Sequence, residues 1–599
     1  MGKARNWNLK LQGNEQMVET LAQELCTPKE NPSEQDKRTS VIISNLLVQR
    51  GVTDFFQAKS FFRPDLNNLH DPFLMKGMEK AINRIFQAKS SQEKILIYGD
   101  YDVDGTTAVA LVYSYLRDFY DNIDFYIPDR YEEGYGVSFK GVDYAKDNNI
   151  SLIICLDCGI KATEEIKYAN ERNIDFIVCD HHLPSKDLPE AYVILDAKLE
   201  GATYPYKELS GCGVGFKLIQ ALQKKRGLKI EDLEKYLDLV AVSIAADVVP
   251  LTGENRTLMQ LGLKRINTHP CIGLEEILLS ADIKRNDNIN NDKRLYFSKE
   301  LTILDLGFSI GPRINAAGRM DSGKKAVELL ISTDKQRAKE LAEQINKNNE
   351  ERKSKDKQAT QEAEQMLKNC EGNEKKSVVL YNEQWHQGII GIVASRIAEQ
   401  ENKPVVIFTK TNDVITGSAR SVKNFDIYTT IEKHKKLLTH FGGHKFAAGL
   451  SLKEENYEKF KQLFEQEVEQ TIQDDELLPE ISVDMEIKLG DINDKLFRLL
   501  SKELQPFGPD NNEPVFYSTR VYSFLNSAKV VGKNHLKFSV ISTDRNTPIS
   551  CIGFCLGDYY SLLKNDEPVD ICYTIEENEF RGRRELQLNI KDIRKSKQE

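Results

Sequence analysis

Between about residues 75 and 250 the sequence alternates apolar, strand-like runs with amphipathic helical patterns. The strand-like runs are KILIYGD, NIDFYIP, SLIICLD and IDFIVCD, and they are separated by helical patterns such as TTAVALVYSYLRDFY and IKATEEIKYANERN. Such alternation is typical of a parallel sheet covered by helices, because parallel strands need a long crossover connection. The sequence therefore predicts an α/β fold for this part of the chain.

Acidic and imidazole side chains follow three of these strands, and one more carboxylate closes the apolar helix of AADVVP. They are Asp100, Asp102 and Asp104, then Asp157, then Asp180, His181 and His182, and finally Asp247. Ligands bind at the carboxyl ends of the strands in open α/β sheets. A single strand-end aspartate is often only the cap of the next helix, and a histidine pair is often part of a surface loop. So many unpaired carboxylates at one sheet edge would be destabilising without a cation, which favours a metal site.

The donor set indicates which metal to expect. Carboxylate oxygens with one or two imidazoles suit Mg²⁺ or Mn²⁺ better than Zn²⁺ or Cu²⁺. Cys155 and Cys158 form a CxxC, but no second pair follows at zinc-site spacing. The carboxylates suffice for two ions about 4 Å apart, the arrangement used in phosphoester hydrolysis. Asp157 is the expected bridging ligand.

The composition limits the class of protein. At 599 residues the chain is long enough for three or four domains, and 40% hydrophobic with 29% charged residues is typical of a globular protein. A net charge of -10 argues against a broad basic surface for duplex DNA, although a local basic channel remains compatible with it. No run approaches the roughly 18 apolar residues of a membrane helix. The N-terminus lacks a signal-peptide core, so we expect no membrane association and a cytoplasmic protein.

The rest of the chain divides by pattern. Residues 1 to about 70 look helical, and residues 334 to 370 form a highly charged pattern expected to be a solvated helix bridging two domains. A second α/β unit follows from about 376 to 470, with a turn at GSARS. The last 125 or so residues contain short strands that suggest a small β barrel.

Several motifs carry a resemblance to known families. DYDVDG, LDCGI, CDHH and AADVVP resemble the successive motifs of the DHH phosphoesterase superfamily. LSGCGVGFKL, GPRINAAGRM, WHQGIIGIVASR, GSARS and FGGHKFAAGLSL resemble the RecJ family of single-strand-specific 5′ to 3′ exonucleases, and LQPFGPDNNEPVF resembles the start of its OB fold. The resemblance covers roughly residues 40 to 590. It implies a DHH domain at 71–330 after an N-terminal helical segment at 1–70, a connecting helix at 331–372, a DHHA1 domain at 373–472 and an OB-like nucleic-acid-binding domain at 473–599.

The resemblance also implies roles for the acidic and histidine groups. The metal ligands would be Asp102, Asp104, Asp157, His181 and Asp247. His182 would face the substrate phosphate, as a catalytic residue beside Asp157, and Asp180 is expected to orient His181 by a hydrogen bond. Related phosphatases have a histidine four residues before the Asp102 position, where Tyr98 stands here. Asp100 is therefore a further candidate ligand.

The substrate-binding residues implied by the resemblance lie in four other motifs. They are Arg130, Ser418 and Arg420 for a terminal 5′ phosphate, Arg313, Asn315 and Arg319 on a glycine-framed turn, Gly442 and Gly443 for close backbone approach, and His444 as a donor to phosphate. Arg130 could instead pair with Glu132 or Glu133, the GPRINAAGR arginines could clamp two domains together, and a Gly-Gly pair is ordinarily a helix C-cap. In the C-terminal part, Lys529, Lys533, Lys537 and Arg581 to Arg584 interleave with Phe524 and Phe538, as single-strand binding requires, although such rings are often barrel core.

Together these features predict a two-metal phosphodiesterase that degrades single-stranded DNA from its 5′ end and releases 5′ mononucleotides. The resemblance implies work in DNA repair and recombination beside a helicase and a single-strand-binding protein, and we expect a monomer. One alternative is a phosphodiesterase of cyclic dinucleotides or oligoribonucleotides, for which an OB-like domain has no obvious use. The other is a non-catalytic single-strand-binding scaffold, against which the full set of acidic and imidazole groups argues.

Overall fold

The structure is a computed structural model that describes most of the chain. The described residues are 5–26, 31–286, 295–320, 322–369, 375–411, 414–423, 425–473, 477, 479–564, 567–580 and 582–596, without the side chains of residues 546 and 580. They divide into two units. The parallel-sheet unit comprises Leu11–Asn349 and Asp491–Pro514, and the mixed-sheet unit comprises Met1–Lys10, Glu350–Gly490 and Val515–Glu599.

The strands are, in chain order, β1 (Asn6–Leu9), β2 (Lys94–Gly99), β3 (Ile123–Tyr126), β4 (Ile150–Leu156), β5 (Asp175–Cys179), β6 (Val193–Leu195), β7 (Val378–Tyr381), β8 (Val405–Thr411), β9 (Val414–Arg420), β10 (Leu438–His444), β11 (Ala447–Leu452), β12 (Glu480–Val483), β13 (Met485–Glu486), β14 (Phe516–Ser523), β15 (Lys529–Val531), β16 (His535–Ser542), β17 (Arg545–Gly553), β18 (Val569–Phe580) and β19 (Arg583–Lys595).

The α-helices are α1 (Glu15–Cys26), α2 (Glu34–Val48), α3 (Phe55–Phe62), α4 (Met78–Ser90), α5 (Val103–Arg117), α6 (Phe139–Asp147), α7 (Thr163–Asn170), α8 (Gly211–Lys225), α9 (Leu237–Asp247), α10 (Gly253–Thr268), α11 (Ile272–Ser280), α12 (Ile303–Asp305), α13 (Gly311–Met320), α14 (Gly323–Leu330), α15 (Lys335–Asn369), α16 (Ile390–Glu401), α17 (Ile427–Glu432), α18 (Tyr457–Thr471) and α19 (Asp494–Arg498). A π-helical turn, Leu306–Ile310, joins α12 to α13.

A five-stranded parallel sheet with the order β3-β2-β4-β5-β6 forms the centre of the parallel-sheet unit. Both faces are covered, since Ile95 and Ile97 of β2 pack in one hydrophobic cluster while Leu96 and Tyr98 pack in another. This double burial explains why the strands read as continuous apolar runs rather than alternating ones. The prediction of a parallel α/β sheet is confirmed, and it brings the ends of β2, β4 and β5 to one edge.

The described part of the mixed-sheet unit contains two larger sheets besides the β1–β12 pair. One has the order β10-β11-β9-β8-β7, in which only the β7–β8 pair is parallel. In the C-terminal sheet the pairings β14–β18, β18–β19, β19–β17, β17–β16 and β16–β14 return to the strand at which they begin. Such a circuit of five strands is the arrangement of an OB-type barrel.

The structure corrects three local predictions. The first four residues of GSARS end strand β9 rather than forming a turn, and GPRINAAGR lies in helix α13 rather than on a turn. The N-terminal segment is not purely helical, since it contains strand β1, which pairs with β12. The Gly-Gly pair of FGGH lies in strand β10, so the alternative of a helix C-cap is excluded. At two of these sites glycine serves packing: a Cβ on Gly417 would lie 2.4 Å from the Phe408 ring, and one on Gly318 would lie 2.9 Å from the Tyr101 carbonyl oxygen.

Candidate active site

One histidine ring lies among carboxylates from three different elements. Nε2 of His181, just after β5, is 3.1 Å from Oδ1 of Asp157, 3.6 Å from Oδ2 of Asp247 and 3.8 Å from Oδ2 of Asp104. Two groups of possible metal ligands therefore share His181. One is Asp157, His181 and His182, the other is Asp104, His181 and Asp247, and within each group the donor atoms lie within 4.8 Å of one another.

Asp104 is fixed by three hydrogen bonds from two other helices. Its carboxylate accepts from the backbone N–H of Gly211 and of Cys212, each at 2.7 Å, and from the hydroxyl of Ser243, also at 2.7 Å. The first two donors are the N-terminal amides of α8. Sequence reasoning missed these three residues, although a serine followed by three closely spaced glycines in SGCGVG was a usable sign of a helix start with exposed amide donors.

Asp157 occupies an unusual backbone conformation directly after β4. Its φ is +58°, in the left-handed region, and its N–H donates to the Cys179 carbonyl at 2.9 Å. For a residue other than glycine this conformation costs about 1–3 kcal/mol and marks functional sites. Gly211 makes room for the side chain, since a Cβ there would lie 2.5 Å from Oδ1 of Asp157. Burial raises the pKa of Asp157 well above its ordinary value, and the nearby charges of Asp104 and Asp102 raise it further.

Asp102 and Asp100 differ in their surroundings. Asp102 caps α5, since its Oδ1 accepts from the Gly105 N–H at 3.0 Å. Helix capping was the alternative role considered for the strand-end aspartates. Oδ1 of Asp100 accepts from the Gly136 N–H at 3.1 Å, while its Oδ2 is buried without a hydrogen-bond partner among the described residues. Burial, and then the neighbouring aspartate, raises the pKa of Asp100 well above its ordinary value.

Tyr98 belongs to the scaffold rather than to this cluster. It is fully buried, its hydroxyl donates to the Gly136 carbonyl at 3.0 Å and accepts from the Ser138 N–H at 3.2 Å, and its ring stacks on Tyr126. The same loop thus supplies the Tyr98 partners and the amide that holds Asp100. The role of Asp100 as a ligand stays a prediction.

Asp180 holds the ring of His182. The prediction that it orients His181 is wrong. Its Oδ1 lies 2.7 Å from Nδ1 of His182 and also accepts the backbone N–H groups of both histidines. Its Oδ2 accepts from the Ile160 N–H at 2.9 Å. Burial alone would raise the pKa of Asp180, but the hydrogen bond and charge of His182 lower it to about 2. The carboxylate is therefore a fixed anion that orients His182.

Tyr135 is a further residue of this site that sequence reasoning missed. Its hydroxyl lies 3.2 Å from Nε2 of His182, and its ring meets the rings of His182 and Tyr101 edge to face. The flanking Gly134 and Gly136 both have positive φ, which places the exposed tyrosine over the histidine. The sequence feature that could have indicated Tyr135 is an aromatic residue between two glycines in EEGYGVS.

The site has the properties of a cation site. Oδ1 of Asp157 and both ring nitrogens of His181 are buried without a hydrogen-bond partner in the described part of the chain. Burial, with the charges of Asp104 and Asp102, raises the pKa of Asp247 to about 8. Buried oxygen and nitrogen donors that repel one another and lack protein partners are the set that a divalent cation satisfies.

Arg130 stands near this cluster. Its guanidinium lies 4.9 Å from the centre of the Tyr101 ring, and its charge lowers the pKa of Asp100 against the effects of burial and Asp102. The alternative pairing with Glu132 or Glu133 is not found in the described chain: Glu132 pairs with Lys140, and Glu133 accepts from the Tyr126 and Ser138 hydroxyls.

The three residues of GPRINAAGR lie on α13 of the same unit. Arg313 is buried, with Nε donating to Oδ1 of Asn346 at 3.0 Å and Nη1 donating to the Ser309 carbonyl at 2.7 Å. Asn315 and Arg319 are half-buried, and the Arg319 carbonyl accepts from the Tyr131 hydroxyl at 2.6 Å. Arg313 is thus engaged within its own unit.

Ser418 and Arg420 meet in the mixed-sheet unit beside Gly391 and Ser395, in the N-terminal half of α16. Arg420 donates from Nε to the Ser395 hydroxyl and from Nη1 to the Ser418 hydroxyl, both at 3.1 Å. A Cβ on Gly391 would lie 3.1 Å from Nη2 of Arg420. Burial lowers the pKa of Arg420, and the described residues include no carboxylate paired with it. A half-buried cation with hydroxyls at a helix N-terminus suits an anion.

Most of the remaining predicted contacts are exposed, and one lies outside the described residues. Gly442, Gly443 and His444 are exposed on β10, and Gly443 has a φ of +147°. In the C-terminal sheet Lys529, Lys533 and Lys537 are exposed, and Lys529 faces Lys537 across β15 and β16. Phe538 is buried in the core, which is the alternative noted for these rings, and Phe524 is half-buried. Arg581 lies outside the described residues.

The parallel sheet, with Asp-x-Asp, Asp and Asp-His-His at successive strand ends, defines the class of DHH phosphoesterases. Family comparison agrees: residues 94–244 match the DHH family, N-terminal domain, residues 374–470 the DHHA1 domain, and residues 483–592 the RecJ OB domain. Over 556 residues the chain is 34% identical to the single-stranded-DNA-specific exonuclease RecJ of Bacillus subtilis (strain 168), covering 92% of this chain and 67% of that protein. The chain belongs to the RecJ family.

Two further comparisons extend this result. The chain is 34% identical over 543 residues to the single-stranded-DNA-specific exonuclease RecJ of Haemophilus influenzae, covering 88% of this chain and 92% of that protein. The structure matches the crystal structure of RecJ in complex with Mn²⁺ from Thermus thermophilus with a TM-score of 0.79 and 26% identity, over 100% of this chain and 81% of that one. No helix in the described residues is long and apolar enough to span a membrane.

Proposed function

We propose that this protein is a single-stranded-DNA-specific exonuclease that hydrolyses phosphodiester bonds from the 5′ end and releases 5′ mononucleotides. The observation that carries the proposal is the position of His181 Nε2, 3.1–3.8 Å from carboxylates of Asp157, Asp247 and Asp104. The relatives described as single-stranded-DNA-specific exonucleases support the substrate class. The C-terminal five-strand circuit supports it over a dinucleotide substrate, because a long single strand needs such a surface.

The proposed cofactors are two divalent cations, Mn²⁺ or Mg²⁺. Their ligands would be Asp102, Asp104, Asp157, His181 and Asp247, with Asp157 shared, and Asp100 as a further ligand. When bound, the cations supply the positive charge that activates a water molecule and stabilises the transition state at the phosphorus. Oxygen donors dominate this set, which suits both ions.

The protein's own groups have separate tasks. The amides of Gly211 and Cys212 hold Asp104 in one orientation, and the left-handed backbone of Asp157 turns its carboxylate toward His181. Burial lowers the pKa of His182, but the hydrogen bond from Nδ1 to Asp180 and the charge of that carboxylate outweigh it and raise the pKa, so that a protonated Nε2 can donate to a non-bridging phosphate oxygen. Burial of the cluster strengthens each of these interactions by lowering the local dielectric.

The 5′ end would be held by Arg420, Ser418 and the N-terminus of α16. Arg420 has its fork oriented by two serine hydroxyls before any substrate arrives. Guanidinium forks bind phosphate with two hydrogen bonds. We also propose that Arg130, Arg313, Asn315 and Arg319 contact the strand, together with Gly442, Gly443 and His444 of β10.

The function is tested with four substrates and Mn²⁺ or Mg²⁺. We expect 5′-labelled single-stranded DNA to lose its label as mononucleotides at once, 3′-labelled single-stranded DNA to shorten from the far end, and blunt duplex and a cyclic dinucleotide to remain intact. A chelator should stop the reaction. Hydrolysis of the dinucleotide alone would overturn the proposal, and no hydrolysis of any substrate would favour a binding scaffold.

Arg420→Ala should remove the preference for a 5′ phosphate. A charged hydrogen bond contributes roughly 1.5–3 kcal/mol, so the ratio of kcat/KM for 5′-phosphorylated over 5′-hydroxyl single strands should fall about 10- to 100-fold. Arg396→Ala is the matched control. Arg396 lies on α16, the helix that Arg420 contacts, but its guanidinium is paired with Asp356 at 2.9 Å. An equal ratio in Arg420→Ala and the unmodified protein would remove the residue from the end-binding site.

Three further properties belong to the proposal. The family relationship supports a place in DNA repair and recombination, where a helicase exposes single strands and a single-strand-binding protein covers them. We further propose that the protein acts as a monomer in the cytoplasm.

A further inference from the structure

We infer that residues 503–512, here called the clamp segment, are a positioning element for Asp247. The inference rests on the proposed function, in which Asp247 is a metal ligand. The clamp segment lies within the stretch that matches the RecJ OB domain, yet it packs in the parallel-sheet unit together with Asp247. It is distant from Asp247 in sequence, and it contacts the turn that follows this ligand.

The turn after Asp247 begins in a strained conformation. Asp247 is the last residue of α9, and the next residue, Val248, has φ +57° and ψ 34°. A β-branched residue rarely adopts this left-handed conformation, which costs about 1–3 kcal/mol and persists only where its surroundings enforce it. Val248 is itself 64% exposed, so its own side chain supplies little of that enforcement. The enforcement comes from the residues that follow.

One side of the turn is held by neighbouring polar side chains. The carbonyl of Pro250 accepts from Nδ2 of Asn255 at 3.0 Å and from the hydroxyl of Tyr206 at 3.2 Å. Asn255 and Tyr206 belong to the parallel-sheet unit and fix the position of the carbonyl.

The clamp segment holds the other side. The N–H of Leu251 donates to the carbonyl of Pro509 at 2.8 Å. Leu251 is fully buried, and Gly508 lies so close that a Cβ on it would be 2.6 Å from Cδ1 of Leu251. The turn between Asp247 and Leu251 is therefore fastened at its far end to the clamp segment.

Two buried side chains hold the clamp segment itself. Asn511, fully buried, donates to the carbonyls of Leu504 and Pro506 at 2.9 and 2.8 Å. Arg256, in the first turn of α10, is 2% exposed and donates to four clamp carbonyls, those of residues 503, 504, 505 and 506. Burial lowers the pKa of Arg256 to about 9. Carbonyl oxygens thus stabilise a buried cation and fix the segment in one conformation.

The test measures Mn²⁺ binding by calorimetry rather than activity. Gly508→Ala places a methyl group against Leu251, and Asn511→Ala removes the hydrogen bonds that shape the clamp segment. Each variant should weaken Mn²⁺ binding at the site that includes Asp247 about 10- to 100-fold, the loss typical when groups that orient a ligand are removed. Arg84→Met is the control, because Arg84 pairs with Glu93 and Asp175, before β2 and at the start of β5, at the opposite edge of the sheet.

The outcomes separate the inference from the proposal on which it rests. Unchanged Mn²⁺ affinity in Gly508→Ala and Asn511→Ala, with Tm lowered as in Arg84→Met, would overturn the inference, because the clamp segment would then be merely structural. Asp247→Asn is titrated in parallel. If that variant keeps full affinity, Asp247 is not a ligand and the metal assignment fails first. If Asn511→Ala does not fold, Gly508→Ala alone decides, because its change is one methyl group.

Discussion

Asp157→Asn is expected to reduce hydrolysis of single-stranded DNA by about 10³-fold or more, equivalent to roughly 4 kcal/mol of transition-state stabilisation. The substitution keeps the shape of the side chain but removes the charge that two cations would share. Oδ1 of Asp157 is 3.1 Å from Nε2 of His181 and has no hydrogen-bond partner in the described chain, so the carboxylate has no other task at that atom. The loss should appear in kcat under saturating DNA and Mn²⁺.

Binding of the strand should survive this substitution. Asp157 carries the same sign of charge as phosphate, so its neutralisation removes a repulsion rather than a contact. Fluorescence anisotropy with a labelled single strand in the presence of a chelator measures this directly. Asp175→Asn is the control, because Asp175 lies at the start of β5 and pairs with Arg84. Retained hydrolysis in Asp157→Asn would contradict the assignment of a shared ligand.

The edge at which the site forms could be predicted from the sequence because parallel strands end on the same side. The apolar runs of β2, β4 and β5 predicted parallel strands, so the residues that follow these strands were expected to lie at the same edge of the sheet. Nothing in that argument identifies the partners of each carboxylate. The amides that hold Asp104 begin α8, which comes much later in the chain, and Ser243 comes from α9.

The rotamer of Asp180 shows a second limit of sequence reasoning. One carboxylate follows β5 directly, and both histidines after it offer a backbone N–H and a ring. The choice of ring depends on the turn of the chain at residues 180–182, which places Nδ1 of His182 within 2.7 Å and leaves His181 facing Asp157. Residue identity alone could not distinguish these arrangements.

Glycine motifs were misread for a related reason. In GSARS and GPRINAAGR the glycines suggested turns, because glycine is frequent where φ is positive. Gly417 and Gly318 are instead required by close neighbours. A Cβ on Gly417 would clash with the Phe408 ring, and a Cβ on Gly318 would clash with the Tyr101 backbone. A glycine required by a close neighbour and a glycine required by a turn are identical in sequence.

His182→Ala is expected to lower kcat about 10²- to 10³-fold, as removal of one positioned donor to a developing oxyanion does, with little change in Mn²⁺ affinity. Asp180→Asn should cause a similar loss, because it removes the anion that holds Nδ1 of His182 at 2.7 Å. If Asp180 acts through His182, the two losses will not add. The double variant should then be no slower than His182→Ala alone, whereas independent roles would multiply the two factors.

Measurement of kcat for the four proteins of this cycle, with Tm recorded for each, decides between the two cases. Asp180 also accepts the N–H groups of Ile160 and His181, so Asp180→Asn should lower Tm more than His182→Ala does. A purely structural role for Asp180 would lower Tm and kcat in the double variant beyond His182→Ala. Equal kcat in the double variant and in His182→Ala, despite their different Tm, would identify Asp180 as the group that orients His182 toward phosphate.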